Sequence, residues 1–167
     1  MGKCFLFQTN GDIFVSNVIF MKGYKIDETI ASVVHEPSMV YGYSIEPTYL
    51  IRYARQGLSM NYLLKLSQKL SLSLQEISGI LHVSLRTLQR YTATKLLDTD
   101  ISSKLLTLTA LHNHGVAVFG SEDNFNVWLK TPILTLDNHT PLSYLDTPFG
   151  FTIIDQLLGR IEHGVFA

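Results

Sequence analysis

A single cysteine, Cys4, among 167 residues excludes an internal disulfide and leaves no second thiol for a redox or zinc motif. Its plain role is that of a small buried hydrophobe. Charge is scarce as well: Asp, Glu, Lys and Arg make up 16% of the chain and the mean hydropathy is +0.18. Part of the surface is therefore expected to be covered by another chain. No apolar run approaches the roughly 18 residues that a membrane span needs, because Ser16 and Asn17 break the stretch from Ile13 to Met21. A secretory apolar region is interrupted by Gln8 through Asp12, and Leu6 stands where a myristoylation signal wants Ser or Thr. These absences point to a cytoplasmic protein.

Catalytic signatures are missing too. There is no Gly-x-Ser-x-Gly elbow, no phosphate-binding glycine loop and no spaced carboxylate pair, so neither an enzyme nor a cofactor is expected. His112, His114, His139 and His163 invite a metal site, but His112 and His114 are two apart and point to different faces of a helix. No metal is expected.

What is present is an uneven charge map. The net charge of −1 divides into −2 over residues 1–51, +6 over residues 52–97 and −5 over residues 98–167. The middle segment sets Arg52, Arg55, Lys65, Lys69, Arg86, Arg90 and Lys95 against Glu76 alone. Only that segment suits a phosphate backbone, whose neutralisation supplies most non-specific DNA affinity.

The predicted elements are mostly helical. Near the start, Phe5-Leu6-Phe7 and Ile13-Phe14-Val15 flank Asn10-Gly11, which suits a β-hairpin because both residues tolerate positive φ. A short helix over Asp27 to Val34 and a loop around Pro37 and Gly42 are expected next. From Pro47 the helical pattern persists, with Gly57 as a stop and Met60, Leu63, Leu64 and Leu70 as apolar positions. Thr140-Pro141 and Thr147-Pro148 each pair a capping hydroxyl with a proline at the first helical position. The last helix is expected from Pro148 to about His163, closed by Gly164. The fold class is therefore all-α apart from the hairpin. Three parts are expected: an N-terminal segment 1–45, a helix-turn-helix DNA-binding and dimerisation domain 46–98, and a C-terminal domain 99–167.

Ser73-Leu74-Gln75-Glu76 reads as a capping box, and Ser84 is a second cap eleven residues on, which places a turn at His82-Val83 between two short helices. His82 occupies the turn position where glycine is usual. Leu74, Ile77 and Leu81 on the first helix pack against Leu85, Leu88 and Tyr91 on the second. The opposite face carries Arg86, Thr87, Gln89 and Arg90, with Lys95 beyond. Arg can bond guanine in bidentate fashion, Gln adenine, and the Thr methyl can meet thymine, while Ser84 and its neighbouring amides can meet a phosphate. An amphipathic helix pair with a solvated basic face is the ordinary explanation, and the local +6 argues against it.

From Leu58 to Ala167 the sequence resembles the Xre/MbcA/ParS family of type II antitoxins. The resemblance rests on Ser84-Leu85-Arg86-Thr87-Leu88-Gln89-Arg90, Val118-Phe119-Gly120, Trp128-Leu129, Thr131-Pro132 and Thr140-Pro141-Leu142, and continues through Leu145-Asp146-Thr147, Gly150 and Leu157 to Phe166. It implies that the C-terminal domain binds a toxin, usually a RES-fold, NAD-consuming enzyme encoded beside the antitoxin. It also implies that the helix-turn-helix represses the operon. The toxin-binding residues so implied are Trp128, Asn138, Arg160, Glu162, His163, Gly164, Val165 and Phe166. Asp137-Asn138 replace two glycines frequent in the family. Trp128 alone would more often be core than interface. Val165 and Phe166 are apolar at a chain end, where a partner pocket would explain them. A homodimer on a palindromic operator is expected, since one recognition helix reads few base pairs. The alternative is a one-component transcription regulator with a ligand pocket in its C-terminal domain; a structural interaction protein with a decayed helix-turn-helix is a third reading.

Overall fold

In the computed structural model the described residues are 8–9, 12–13 and 47–165. The expected helix over Asp27 to Val34, the loop at Pro37 and Gly42, the Asn10-Gly11 turn and Phe166 lie outside them. Strand β1 (Gln8–Thr9) pairs antiparallel with β2 (Asp12–Ile13), Gln8 opposite Ile13 and Thr9 opposite Asp12.

The remainder of the described chain is helical, and its boundaries follow from capping. Helix α1 (Pro47–Gln56) stops at Gly57. Helix α2 (Met60–Lys69) starts at Ser59, whose side chain accepts from the Tyr62 amide. Helix α3 (Leu74–Leu81) carries the expected box, with Ser73 Oγ accepting from Glu76 N and Glu76 Oε2 accepting from Ser73 N. Each such cap satisfies an amide that the first helical turn leaves free, and its loss costs about 1 kcal/mol. Helix α4 (Leu85–Arg90) follows the Ser84 cap, and α5 (Thr99–Phe119) runs for 21 residues between the Asp98 cap and Gly120. Then come α6 (Glu122–Lys130), two 3-10 helices (Leu134–Leu136 and Pro141–Tyr144) and α7 (Pro148–Glu162).

The two Thr-Pro pairs behave differently. Thr147 caps α7, its hydroxyl accepting from Gly150 N, whereas Thr140 makes no capping bond and Pro141 opens only a four-residue 3-10 turn. The reason is length: Thr147 already starts the next helix, so the segment between them is too short to repay α-helix nucleation.

Helix α5 is the spine. It packs against α1, α3, α6 and α7, and its buried Ile101, Leu105, Leu108 and Leu111 belong to one hydrophobic cluster running from Ala54 to Leu158. That cluster passes without a break across residues 98–99, where the sequence suggests a division. Full burial of a leucine stabilises by about 1.5–3 kcal/mol, so a core shared in this way binds both halves tightly. Two buried polar pairs sit within it: Leu58 N donates to Ser102 Oγ at 2.9 Å, and the Tyr62 hydroxyl meets Thr109 Oγ1 at 2.7 Å. Burial pushes the Tyr62 phenol up, against the opposing hydrogen bond from Thr109.

Candidate functional site

The turn between α3 and α4 sets which face of α4 is exposed. His82 closes α3 in the left-handed conformation (φ 56, ψ 36), the geometry usually given to glycine. Its ring compensates: His82 Nε2 donates to the Asp146 carbonyl, 2.7 Å away and 64 residues on. Leu88 is fully buried beneath α4, and Leu85 and Tyr91 are half-buried, which turns Arg86, Gln89 and Arg90 outward together. Thr87 is half-buried, and its hydroxyl lies 2.7 Å from Ser84 Oγ, so the cap engages both hydroxyls. Lys95 is exposed on the loop that follows α4; Met60 N donates to its carbonyl at 2.9 Å, fixing the loop to the start of α2. Thr92 is exposed, because α4 ends at Arg90.

The C-terminal residues fall into separate groups. Trp128 is half-buried in an aromatic cluster, its ring centroid 5.2 Å from Phe119 and 5.9 Å from Phe125. Asn138 is exposed with φ 60, directly after Asp137 at φ 52. Both positions thus need left-handed backbone, which Asp and Asn tolerate where glycine would be easiest. Arg160, Glu162, His163, Gly164 and Val165 are exposed at the end of α7. Gly164 (φ 68) donates to the Ile161 carbonyl and Val165 N to the Arg160 carbonyl at 2.8 Å, the pair of bonds that defines a Schellman motif. Gly164 thus closes α7, and the chain is turned back with Val165 held through its backbone amide.

Polar ties join the helix-turn-helix to the C-terminal helices. Besides His82–Asp146, Lys130 Nζ donates to the Ser71 carbonyl at 2.6 Å and Asn126 Nδ2 to the Lys69 carbonyl at 2.7 Å. Lys130 also stands 3.9 Å from Glu76. Burial alone would push the Glu76 carboxyl up; the Ser73 hydrogen bonds and the Lys130 charge outweigh it and hold the group below its usual value. The histidines diverge as expected: His112 is buried edge-on to Phe125, while His114 sets Nδ1 2.8 Å from Asp155 and Nε2 3.5 Å from Glu162. Among the described residues no three His, Cys, Asp or Glu side chains are grouped to hold a metal, and no helix is long and apolar enough to cross a membrane.

Concavities lie at the seam of the two halves and on the C-terminal half. One, about 460 Å³, runs between α3, α5 and α7, lined by the buried Ile80, Leu111 and Phe151 and by the charged Asp100, Lys104 and Asp155. The other, about 390 Å³, lies beside the start of α7 between Tyr144 and Ile153. The sequence reading missed the exposed Phe149 and Ile153 beside it and the His82 tie. A Thr-Pro-Phe-Gly start does signal a helix in which position 149 stands just inside the cap, but which side faces solvent depends on what covers the helix.

The antitoxin Xre-like helix-turn-helix domain model matches residues 50–109, and the antitoxin Xre/MbcA/ParS C-terminal toxin-binding domain model matches residues 114–164. Two curated relatives, both described as Antitoxin Xre, come from Photorhabdus laumondii subsp. laumondii and Yersinia enterocolitica serotype O:8 / biotype 1B. They are 39% and 33% identical to this chain over 67 residues, or 40% of it. The match spans 45% of the length of each relative. A chain in the crystal structure of the M. tuberculosis MbcT-MbcA toxin-antitoxin complex aligns over 63% of this chain and 94% of its own length, at 20% identity and a TM-score of 0.47. With an Xre-like helix-turn-helix and an Xre/MbcA/ParS C-terminal domain matched in succession along one helical body, the chain belongs to the Xre/MbcA/ParS family of antitoxins.

Proposed function

We propose that this protein is the antitoxin of a type II toxin-antitoxin system, a cytoplasmic, non-enzymatic homodimer that neutralises a RES-type NAD-consuming toxin and represses its own operon. The observation that carries the reading is the succession of the two matched domains, one suited to DNA and one described as toxin-binding. Charge supports it: the helix-turn-helix lies in the +6 segment and the C-terminal domain in the −5 segment. A toxin cleft that is positive for the phosphates of NAD also attracts an acidic blocking protein. In this reading Arg86, Gln89 and Arg90 read base edges, with Ser84, Thr87 and Lys95 on or near the backbone. Trp128, Asn138 and residues 160–166 meet the toxin.

Co-expression with the adjacent gene, followed by pull-down and a growth assay, tests it. The neighbour should be toxic alone, silent with this chain, and recovered bound to it; a harmless or unbound neighbour refutes the reading. The second reading, a ligand-sensing regulator, is favoured by the cleft of about 460 Å³ at the seam of the two halves, a size that suits a small molecule. It predicts operator release by a small molecule with no protein partner.

A further inference from the structure

The start of α7 exposes an apolar surface that the readings above leave unused. Phe149 is 82% exposed and Ile153 40%, and a spacing of four residues puts them on one side of the helix. Local covalent geometry explains why the ring stands out. Pro148 takes the first helical position after the Thr147 cap. Gly150 is buried so close to the Tyr144 carbonyl that any Cβ there would collide with it. With Gly150 pressed inward on backbone, its neighbour Phe149 is directed to the solvent side. Beside the ring lies the groove of about 390 Å³, whose lining includes His139, Tyr144 and Asp146 but no Lys or Arg.

We infer that Phe149 and Ile153 form a second docking surface for the toxin, with the Phe149 ring seated in an apolar pocket of a partner whose rim is basic. The inference rests on the antitoxin reading and deepens it. An aromatic side chain held out by a capped, proline-led helix start is pre-organised, so binding sacrifices little conformational freedom. Charge selects the occupant. DNA is repelled, because the groove offers a carboxylate and no cation within a segment of net −5. A second copy packed about a two-fold axis would bring Asp146 and the same acidic segment against themselves. A protein with a cationic rim is complementary. Continuity points to the same partner: Phe149, Ile153, Gln156 and Arg160 are all exposed and recur along one face of α7 about 16 Å long. One partner can span the face from Phe149 to the residues around Arg160.

The test titrates the full chain, wild type and Phe149→Ala, against the purified toxin. Truncating an anchor of this kind weakens toxin affinity by about thirtyfold. Operator affinity and melting temperature stay near wild type, because the ring is exposed in the free protein. Toxin affinity within twofold of wild type overturns the inference while leaving the antitoxin reading intact. A wild-type chain that does not bind the toxin defeats the antitoxin reading itself. Sedimentation without toxin supplies the remaining arm: loss of a dimer on Phe149→Ala would assign the surface to a second copy and overturn the inference.

Discussion

His82 Nε2 donates a hydrogen bond to the Asp146 carbonyl at 2.7 Å, tying the turn of the helix-turn-helix to the residue just before the Thr147 cap of α7. The same histidine holds φ at 56. Strain and tie thus sit in one residue, and substitutions separate them. In His82→Ala the left-handed backbone is kept and the bond lost, so stability should fall by about 1 kcal/mol. In His82→Gly the bond is lost and the strain relieved together, leaving stability within about 0.5 kcal/mol of wild type. Urea denaturation reads both; an alanine variant as stable as the wild type would mean the tie contributes nothing.

Arg86 and Lys65 should fail in different ways. Arg86→Ala is expected to cost about 1–3 kcal/mol on the operator and to flatten sequence preference, since a bidentate base contact is removed. Lys65→Ala should weaken operator and random DNA alike and reduce the salt slope by about 0.9. Binding isotherms on both sequences at several salt concentrations distinguish them. Equal losses on both DNAs for both variants would mean that the exposed face of α4 is not the reading surface.

Val165 offers a mild probe of the C-terminal residues. It is 56% exposed and held through its backbone amide, so Val165→Asp, alone or with Phe166→Asp, should leave circular dichroism and melting unchanged. Toxicity in co-expressing cells should return. If the toxin stays fully inhibited, occlusion by these residues is replaced by binding through the face around Trp128 and Asn138.

The capping box gives a pH dependence. The Glu76 carboxyl is held below its ordinary value of 4.5 in the folded state, so the charged form is bound more tightly than in the unfolded chain. Its stabilisation is complete above that ordinary value and disappears as pH falls through the lower folded one. The melting-temperature advantage of the wild type over Glu76→Gln should therefore be constant near neutrality and shrink on acidification. A gap that does not change with pH would remove Lys130 and the charged cap as contributors.

Much of the local structure was legible because it is written in short-range chemistry. Ser73, Ser84 and Thr147 announced their helices through hydroxyls that bond amides three residues ahead, and Gly164 marked an end through its freedom at positive φ. The basic face of α4 follows from the 100° step between residues, once Leu88 is taken as buried. Thr140-Pro141 carries the same signature as Thr147-Pro148 and yields only a 3-10 turn, since a cap motif says where a helix can start and not whether enough chain follows.

The sequence by itself determined the order of elements, the segregation of charge between the two halves, and the basic outer face of α4. Only the tertiary structure decided that both halves share the α5 core, that His82 reaches Asp146, and that Phe149 is left uncovered beside a buried Gly150. The difference is one of range. Caps and periodicity act over three or four residues and are fixed by backbone hydrogen bonding, whereas these three relationships depend on how helices far apart in sequence pack and on which faces that packing leaves open to solvent.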